Sequence, residues 1–297
     1  MTVRGKRIVK NEIARLHKLR ADFSSIDLQI SLNMQNAMSN LTFRRHLKRM
    51  GFHYLASRRK GIITEEDKKK RLKFAKAIKK KYKTQEEQLE FWRSAISMYT
   101  DIVGFEYKRN PYELATTSKA RSWRKRGQGL EITRKGAKEG ATTMKYLVGI
   151  SYNRGIPLIK AIPHKLNGAM YAYIIREGTF ENGVAHSDVR CIIQDNDPVQ
   201  NSKRSKDAFA KKNIGLFRIP ARSPDINIIE NMFHTVKRAV NAEAKSRFLY
   251  KESEEEFCLR IENTLQNITK QTVNNLINSL PKRIDSLIAA KGMCLKY

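Results

Sequence analysis

The chain has 297 residues, with 59 Lys and Arg against 29 Asp and Glu and a formal net charge of +30, a basic excess that on a foldable chain points to a polyanionic partner. Its 40% apolar content is enough for a core and excludes wholesale disorder. Cys191, Cys258 and Cys294 lack disulfide or zinc spacing, and there is neither a membrane-length apolar run nor a leader-like start, so a secreted or membrane-bound protein is not expected.

Residues 1–85 hold 24 Lys and Arg and 6 Asp and Glu, which places +18 of the +30 in under a third of the chain. Arg4 to Arg7 reads either as a basic arm for a minor groove or as an unstructured basic start. Ile13 and Leu16 at helical spacing predict a helix from Lys10 to Arg20, with His17 on its polar side. A second helix is expected after the capping pair Ser24 and Ser25, burying Ile26, Leu28, Ile30 and Leu32 in some combination. A third runs from Ser39 or Asn40 to Met50 and stops at Gly51. Three short helices predict a helix-turn-helix unit. Its last helix would turn Phe43 and Leu47 inward, present Ser39 and Asn40 to a major groove, and aim Arg44, Arg45 and Lys48 at DNA. Ser39 or Asn40 reads equally well as a plain N-cap, and the arginines as a solvated face.

Two basic clusters follow, Arg58–Arg59–Lys60 and Lys68 to Arg71. They resemble a bipartite nuclear-import signal, so nuclear localisation is expected, and Arg58, Arg59 and Lys60 suit DNA phosphates. The second cluster opens a basic connector helix. From Gln88 onward, strand-like runs at Ser94–Tyr107, Thr142–Ser151 and Ile156–Ile162 precede a helix over Leu166–Arg176 and a strand over Val189–Ile193. This order predicts an α/β domain with a mixed sheet. Trp92 and Trp123 suit the core, and Gly127, Gly129, Gly136 and Gly140 lie in a basic loop. A long helix is expected over Lys251–Lys282, with Glu252, Glu254, Glu255 and Glu256 at its positive end and Phe257, Ile261, Leu265 and Ile268 on one face. The expected domains are 1–57, a basic linker 58–87, and 88–297.

Three carboxylates stand out. Asp195 closes the apolar strand Cys191–Asp195, at the strand end where α/β folds place their sites. Glu230 follows a Pro-containing turn, about one turn into a helix. Asp101 sits among residues otherwise suited to a core. Brought together by a sheet, they would form an oxygen-rich site suited to Mg²⁺ or Mn²⁺, and two such ions serve phosphodiester chemistry. Each acid alone also fits a structural place at a strand end or turn. Asp197 and Asp225 are competing ligands, and His234 reads as a packing or supporting residue.

Gln194 to Pro198 (Q-D-N-D-P), then Ser223 to Asn231 (S-P-D-I-N-I-I-E-N), with 34 residues between Asp195 and Glu230, resemble the second and third acidic motifs of Tc/mariner-superfamily DDE transposases. Asp101 with Phe105 resembles the first motif, and Trp123-Arg124 the Val-Trp-Arg strand. Lys145 to Leu158 and Ser279 to Gly292 resemble later segments of that family. Ser39 to Leu47 and Ile63 to Lys76 resemble its second helix-turn-helix and its linker.

The resemblance implies an RNase H-like catalytic domain, a mixed sheet flanked by helices, preceded by a small all-α helix-turn-helix domain. Asp101, Asp195 and Glu230 would bind two Mg²⁺ or Mn²⁺ ions. The partner would be double-stranded DNA, cut at terminal inverted repeats and joined into TA target sites by a homodimer, with Trp123 and Arg124 at the DNA. The chain departs from the family at Ile102, Gln200, Ile228 and Phe233. About 100 residues precede Asp101, where relatives have two helix-turn-helix units. These departures also admit a DNA-binding derivative with impaired catalysis.

Overall fold

The computed structural model describes residues 2–19, 22–56, 63–116, 121–125, 142–163, 165–180, 190–195 and 197–295. The chain divides into two compact units, one of residues 1–62 with 117–136, the other of residues 63–116 with 137–297.

In the first unit, α1 (Val3–Leu19) begins earlier than expected and takes Arg4 to Arg7 into helix. It buries Val9, Ile13 and Leu16, and also His17. The expected polar placement of His17 is overturned because its Nε2 finds a buried acceptor, the Trp123 carbonyl at 3.1 Å. Helix α2 (Ser25–Ser31) starts in a capping box: Ser24 Oγ accepts from Asp27 N (3.2 Å), and Asp27 Oδ2 accepts from Ser24 N (2.6 Å). Leu28 is buried and Leu32 packs at the core edge, whereas Ile26 and Ile30 are exposed, since only one side of so short a helix faces the core.

Helix α3 (Asn40–Arg49) is capped by Ser39, which accepts from Thr42 N at 3.3 Å. After Met50 the chain turns through Gly51 at φ +82°, a left-handed value glycine adopts without a β-carbon penalty. Phe43 and Leu47 are fully buried with Leu28, Phe52 and Trp123. Phe43→Ala is therefore expected to destabilise this unit by about 3–5 kcal/mol. Urea unfolding followed by far-UV circular dichroism measures it, and a loss under about 1 kcal/mol would show a core able to collapse around the gap.

This unit contains one ladder that the sequence does not suggest. Strand β1 (Phe52–Ala56) pairs antiparallel with β3 (Arg121–Lys125), which the chain reaches only after β2 (Met98–Tyr107) of the other unit. The register sets Tyr54 opposite Trp123. Residues 121–125 thus join the N-terminal unit rather than continuing the domain expected from residue 88.

In the second unit, α4 (Glu65–Lys81) opens with a Thr64–Asp67 capping box. It packs on α12 (Leu280–Ala289) instead of standing apart as a connector. Arg71, expected in an exposed basic cluster, is fully buried. Helix α5 (Gln85–Glu90) runs into a π-helical turn, Phe91–Ala95, that buries Phe91 and Trp92. This turn delays β2 to Met98. Helix α6 (Pro111–Thr116) follows β2.

The sheet has the order β5 (Gly155–Ile162), β4 (Thr142–Ser151), β2, β6 (Cys191–Ile193) and β7 (Gly215–Phe217). Strands β5, β4 and β2 are antiparallel neighbours, while β6 and β7 run parallel to β2. Helices α7 (Gly168–Arg176) and α8 (Lys203–Lys211) cover one face over Met98, Leu147, Tyr171, Ile192 and Phe209. The other face carries α9 (Ile228–Ser246), α10 (Glu254–Gln266), α11 (Lys270–Asn278) and α12 over Tyr99, Val103, Val148 and Ile150.

The single long helix expected over 251–282 is three helices. Asn267 ends α10, Thr269 caps α11 by accepting from Thr272 N at 3.2 Å, and α12 begins with Pro281 in its first turn. Glu252 lies before the Ser253 cap and is buried against Arg260, with Nε–Oε1 2.6 Å and Nη2–Oε2 2.7 Å. Among the described residues no helix is long and apolar enough to cross a membrane.

Candidate active site

Strand alternation and register bring the three acids together. Along β2, Tyr99, Val103 and Phe105 belong to the core under α9–α12, so Asp101, in phase with them, points to the same face. Strand β6 pairs in parallel with β2 through Met98–Ile192 and Tyr99–Ile193. Continuing that register by two residues sets Asp195 beside Asp101, just where β6 ends and β2 runs on. Thr100 Oγ1 holds the junction by donating to the Ile193 carbonyl at 3.1 Å. Glu230 enters from the first turn of α9. All three acids line one cavity of about 270 Å³, together with Asp197, Gln200, Phe233, Lys145 and Lys237.

Asp101 is 7% exposed. One carboxylate oxygen accepts from Ile102 N (2.7 Å), the other from Asn227 Nδ2 (3.0 Å). Burial is the main force raising its pKa, helped by the charges of Asp195 and Glu230. The two hydrogen bonds oppose the rise only in part, and the carboxyl is pushed up to about 7. The Asp195 turn is held from behind: Asn201 Nδ2 donates to the Asp195 carbonyl at 3.0 Å, and Gln194 accepts from Tyr171 Oη at 3.1 Å while donating to the Gln200 carbonyl at 3.2 Å.

The turn leading into α9 is clamped by two buried arginines. Arg71 forms a double bond pair with Asp225, Nη1–Oδ1 2.8 Å and Nη2–Oδ2 2.5 Å. Arg283 Nη1 donates to the Asp225 carbonyl (2.6 Å) and to Asn231 Oδ1 (2.7 Å). Asp225 is thereby committed to structure, and its candidacy as a ligand falls. Asp197 keeps its place in the cavity wall, where Oδ1 accepts from Val199 N at 2.8 Å. His234, one turn beyond Glu230 on α9, is exposed and is not part of the cavity lining.

The donor set suits a hard divalent cation. It consists of carboxylate oxygens, and their mutual repulsion, registered at Asp101, is what a cation would relieve. Among the described residues no group of three or more His, Cys, Asp and Glu is gathered tightly enough to hold one ion. Mg²⁺ is commonly held by one or two carboxylates, with water and substrate phosphate completing its shell, and pairs drawn from Asp101, Asp195 and Glu230 match that pattern.

Asn227, Lys145, Lys237 and Gln194 had no mark as site residues in the sequence. Gln194, Lys145 and Asn227 lay within segments already singled out, while Lys237 did not. Its side chain makes no cap bond to α9 and is spent on Asp101 instead. Lys145 reaches the cavity because it pairs with Gly104 across the β2–β4 ladder. Lys237 lies two turns beyond Glu230, with Nζ 5.7 Å from the Phe105 ring centroid.

In the N-terminal unit Ser39, Arg44, Arg45 and Lys48 are exposed along α3. Asn40 differs from the expectation that it would read a base: its Oδ1 accepts from Ser25 Oγ at 3.1 Å and its Nδ2 donates to Gln29 Oε1 at 2.6 Å. Both ends of the amide are thus used to fasten α3 to α2. Trp123, expected both in the core and at DNA, is 1% exposed within the core of this unit, and Arg124, expected at DNA, is 3% exposed. Arg58, Arg59, Lys60 and the basic glycine loop lie outside the described residues.

Residues 109–251 match the family model described as DDE superfamily endonuclease, a span that includes Asp195 and Glu230. The chain is 32% identical over 104 residues to the Tcb2 transposase of Caenorhabditis briggsae, and 31% identical over 110 residues to the Tc1 transposase of Caenorhabditis elegans. Each match covers 35% of this chain and 36% of the relative, so about a third of the length of these curated relatives is matched. Among solved structures, the Mos1 strand transfer complex aligns with a TM-score of 0.58 at 16% identity, over 96% of this chain and 78% of that one. The catalytic domain of Mos1 mariner transposase aligns with 0.52 at 14% identity, over 78% and 97%, and the fold is RNase H-like. With the acidic motifs in the same order and the matched segment spanning two of them, residues 109–251 are similar to the DDE superfamily endonucleases and the chain resembles the Tc transposases.

Proposed function

We propose that the chain is a cut-and-paste DNA transposase that binds terminal inverted repeats, cleaves their ends and joins them into TA target sites as a homodimer in the nucleus. The supporting observation is the convergence of Asp101, Asp195 and Glu230 on one cavity, close enough that their charges help raise Asp101 to about 7. These three side chains would hold two Mg²⁺ or Mn²⁺ ions. When bound, such ions activate a water or 3′-hydroxyl and stabilise charge on the phosphodiester oxygens. Asn227 and the Ile102 amide orient the Asp101 carboxylate. Lys145 and Lys237 set cations in the same cavity lining, where a phosphate would enter. In the N-terminal unit, Arg44, Arg45 and Lys48 are the residues to contact DNA, with Ser39 at the leading end of the same helix.

The solved Mos1 structures support this reading by what they contain: a paired-end complex with a transposon end, and complexes with Mn and with Mg. The test is cleavage of a supercoiled plasmid carrying the element's own repeats, with Mg²⁺ or Mn²⁺. Cuts at the repeat ends are expected, and Asp195→Ala should lower their rate by at least about 10³-fold. Repeat binding with no cutting in either metal would instead identify a DNA-binding derivative.

A further inference from the structure

Helix α9 carries Glu230 in its first turn and ends, about 27 Å away at 1.5 Å per residue, at a cluster of solvent-facing aromatic rings. Phe248 and Tyr250 are 60% and 59% exposed. Tyr112 of α6 stacks on Phe248, with centroids 5.7 Å apart and planes at 23°, and meets Tyr250 at 5.0 Å and 50°. Two backbone bonds lock the strip that holds them, Tyr112 N to the Leu249 carbonyl (2.9 Å) and Glu252 N to the Arg109 carbonyl (3.0 Å).

The backbone of Phe248 sets this ring apart from ordinary exposed apolar residues. Phe248 N donates to the Lys245 carbonyl and Leu249 N to the Ala244 carbonyl, a helix ending whose left-handed residue is normally glycine. Asn33, Gly51, Gly178 and Asn213 fill that position after four other helices, and Lys291 after α12. Phe248 fills it at φ +49°, an unfavourable conformation for a residue with a β-carbon, and the result is a ring held out in water.

Its surroundings are cationic. Arg109, Arg247 and Lys251 are exposed beside the stack. Of the acids near them, Glu243 is paired with Arg247 (2.8 Å) and Glu113 with Lys108 (3.0 Å), while Glu254 and Glu255 at the start of α10 are exposed. Between the cavity and the stack, the exposed residues His234, Lys237, Arg238, Asn241 and Lys245 recur every three or four positions along α9, forming one stripe. Lys237 belongs to both the stripe and the cavity. An apolar protein partner would have to desolvate these cations. A nucleic-acid strand pairs its phosphates with them and brings flat rings of its own.

We propose that Tyr112, Phe248 and Tyr250 form a stacking platform for an unpaired base of a DNA strand that runs from the acidic cavity along the basic face of α9. At about 3.4 Å per nucleotide the helix spans some eight steps of strand. Stacking on aromatic side chains accepts any base, because every base presents a π-face. The inference rests on the DNA reading above but not on catalysis.

The experiment uses the full chain carrying Asp195→Ala, so that no strand is cut, with Phe248→Trp as reporter; Trp92 and Trp123 are buried, so changes in exposed emission come from the introduced indole. Short oligothymidine and an abasic strand of equal length are titrated at elevated salt, which suppresses phosphate-only binding. Saturable quenching by oligothymidine, and none by the abasic strand, is expected, with affinity for oligothymidine falling about tenfold or more in Tyr112→Ala/Tyr250→Ala. As a second readout, with Phe248 kept natural, an iodouracil-substituted strand is expected to crosslink to the peptide holding residues 248–250. Equal quenching by both strands, or crosslinks confined elsewhere, overturns the platform while leaving DNA binding in place. Binding of neither strand overturns the platform, and a duplex carrying the terminal repeats, titrated at low salt, then tests the DNA reading by itself. A concentration-dependent dimer lost in Phe248→Ser would assign the rings to a second copy of the chain and overturn the proposal.

Discussion

Replacing Arg71 with leucine is expected to destabilise the larger unit by about 3–5 kcal/mol, the cost of leaving a buried charge without its partner. The guanidinium is fully buried and donates to five acceptors: both Asp225 carboxylate oxygens and the carbonyls of Gly292, Arg222 and Met293. In the variant, Asp225 would keep, among the described residues, the Leu295 amide at 2.8 Å for its carboxylate. Because Asp225 opens the turn that delivers Asn227 and Glu230, activity should fall along with stability. The double variant Arg71→Leu/Asp225→Leu separates the causes: removing both charges should recover much of the stability, since apolar replacements of buried pairs are often neutral. Urea unfolding at neutral pH measures both. A single variant within about 1 kcal/mol of the natural chain would show that water reaches Asp225 and that the clamp is dispensable.

Asp101→Asn is expected to abolish metal-dependent cleavage while making the folded chain more stable at alkaline pH. The Asp101 carboxyl is raised from its ordinary 3.8 to about 7 by burial and by the charges of Asp195 and Glu230. The folded state therefore holds this proton over a range where the unfolded chain has released it. Stability is unaffected below about pH 4, declines as pH rises toward 7, and levels off above that, with a full cost of about 4 kcal/mol. Asparagine carries no charge and escapes this cost. The buried Asn227 Oδ1, which has no hydrogen-bond partner among the described residues, could accept from the new amide. Thermal unfolding from pH 4 to 8 should show the natural chain losing stability relative to the variant. Mg²⁺ should raise the melting temperature of the natural chain at pH 8 far more than that of Asp101→Asn. Parallel pH profiles for the two chains would refute the electrostatic account.

How far the sequence reaches can be seen residue by residue. Local chemistry was legible. Ser24 and Ser39 cap helices because a hydroxyl before a helix satisfies amides that nothing else can reach. Strand β4 matches its apolar run from Thr142 to Ser151, and Gly51 ends α3 as its freedom at positive φ requires. The three acids were legible as candidates from their settings and their order. The sequence pattern failed where distant segments meet. His17 reads as polar until a carbonyl of β3 is there to receive it, and Arg124 reads as DNA-facing until β1 pairs with its strand, whereas Trp123 was legible as core. Arg71 reads as one more exposed cation until Asp225, 154 positions away, closes on it. Sequence by itself determined the N-terminal helices, the main strands of the sheet and the chemical type of the site, because these depend on side chains within a turn or two of one another. Tertiary structure alone decided that Asp101 and Asp195 share a register, that Asn227 serves Asp101 rather than its helix, and that Phe248 stands beside Tyr112. Those pairings come from strand order and helix docking, which no local spacing encodes.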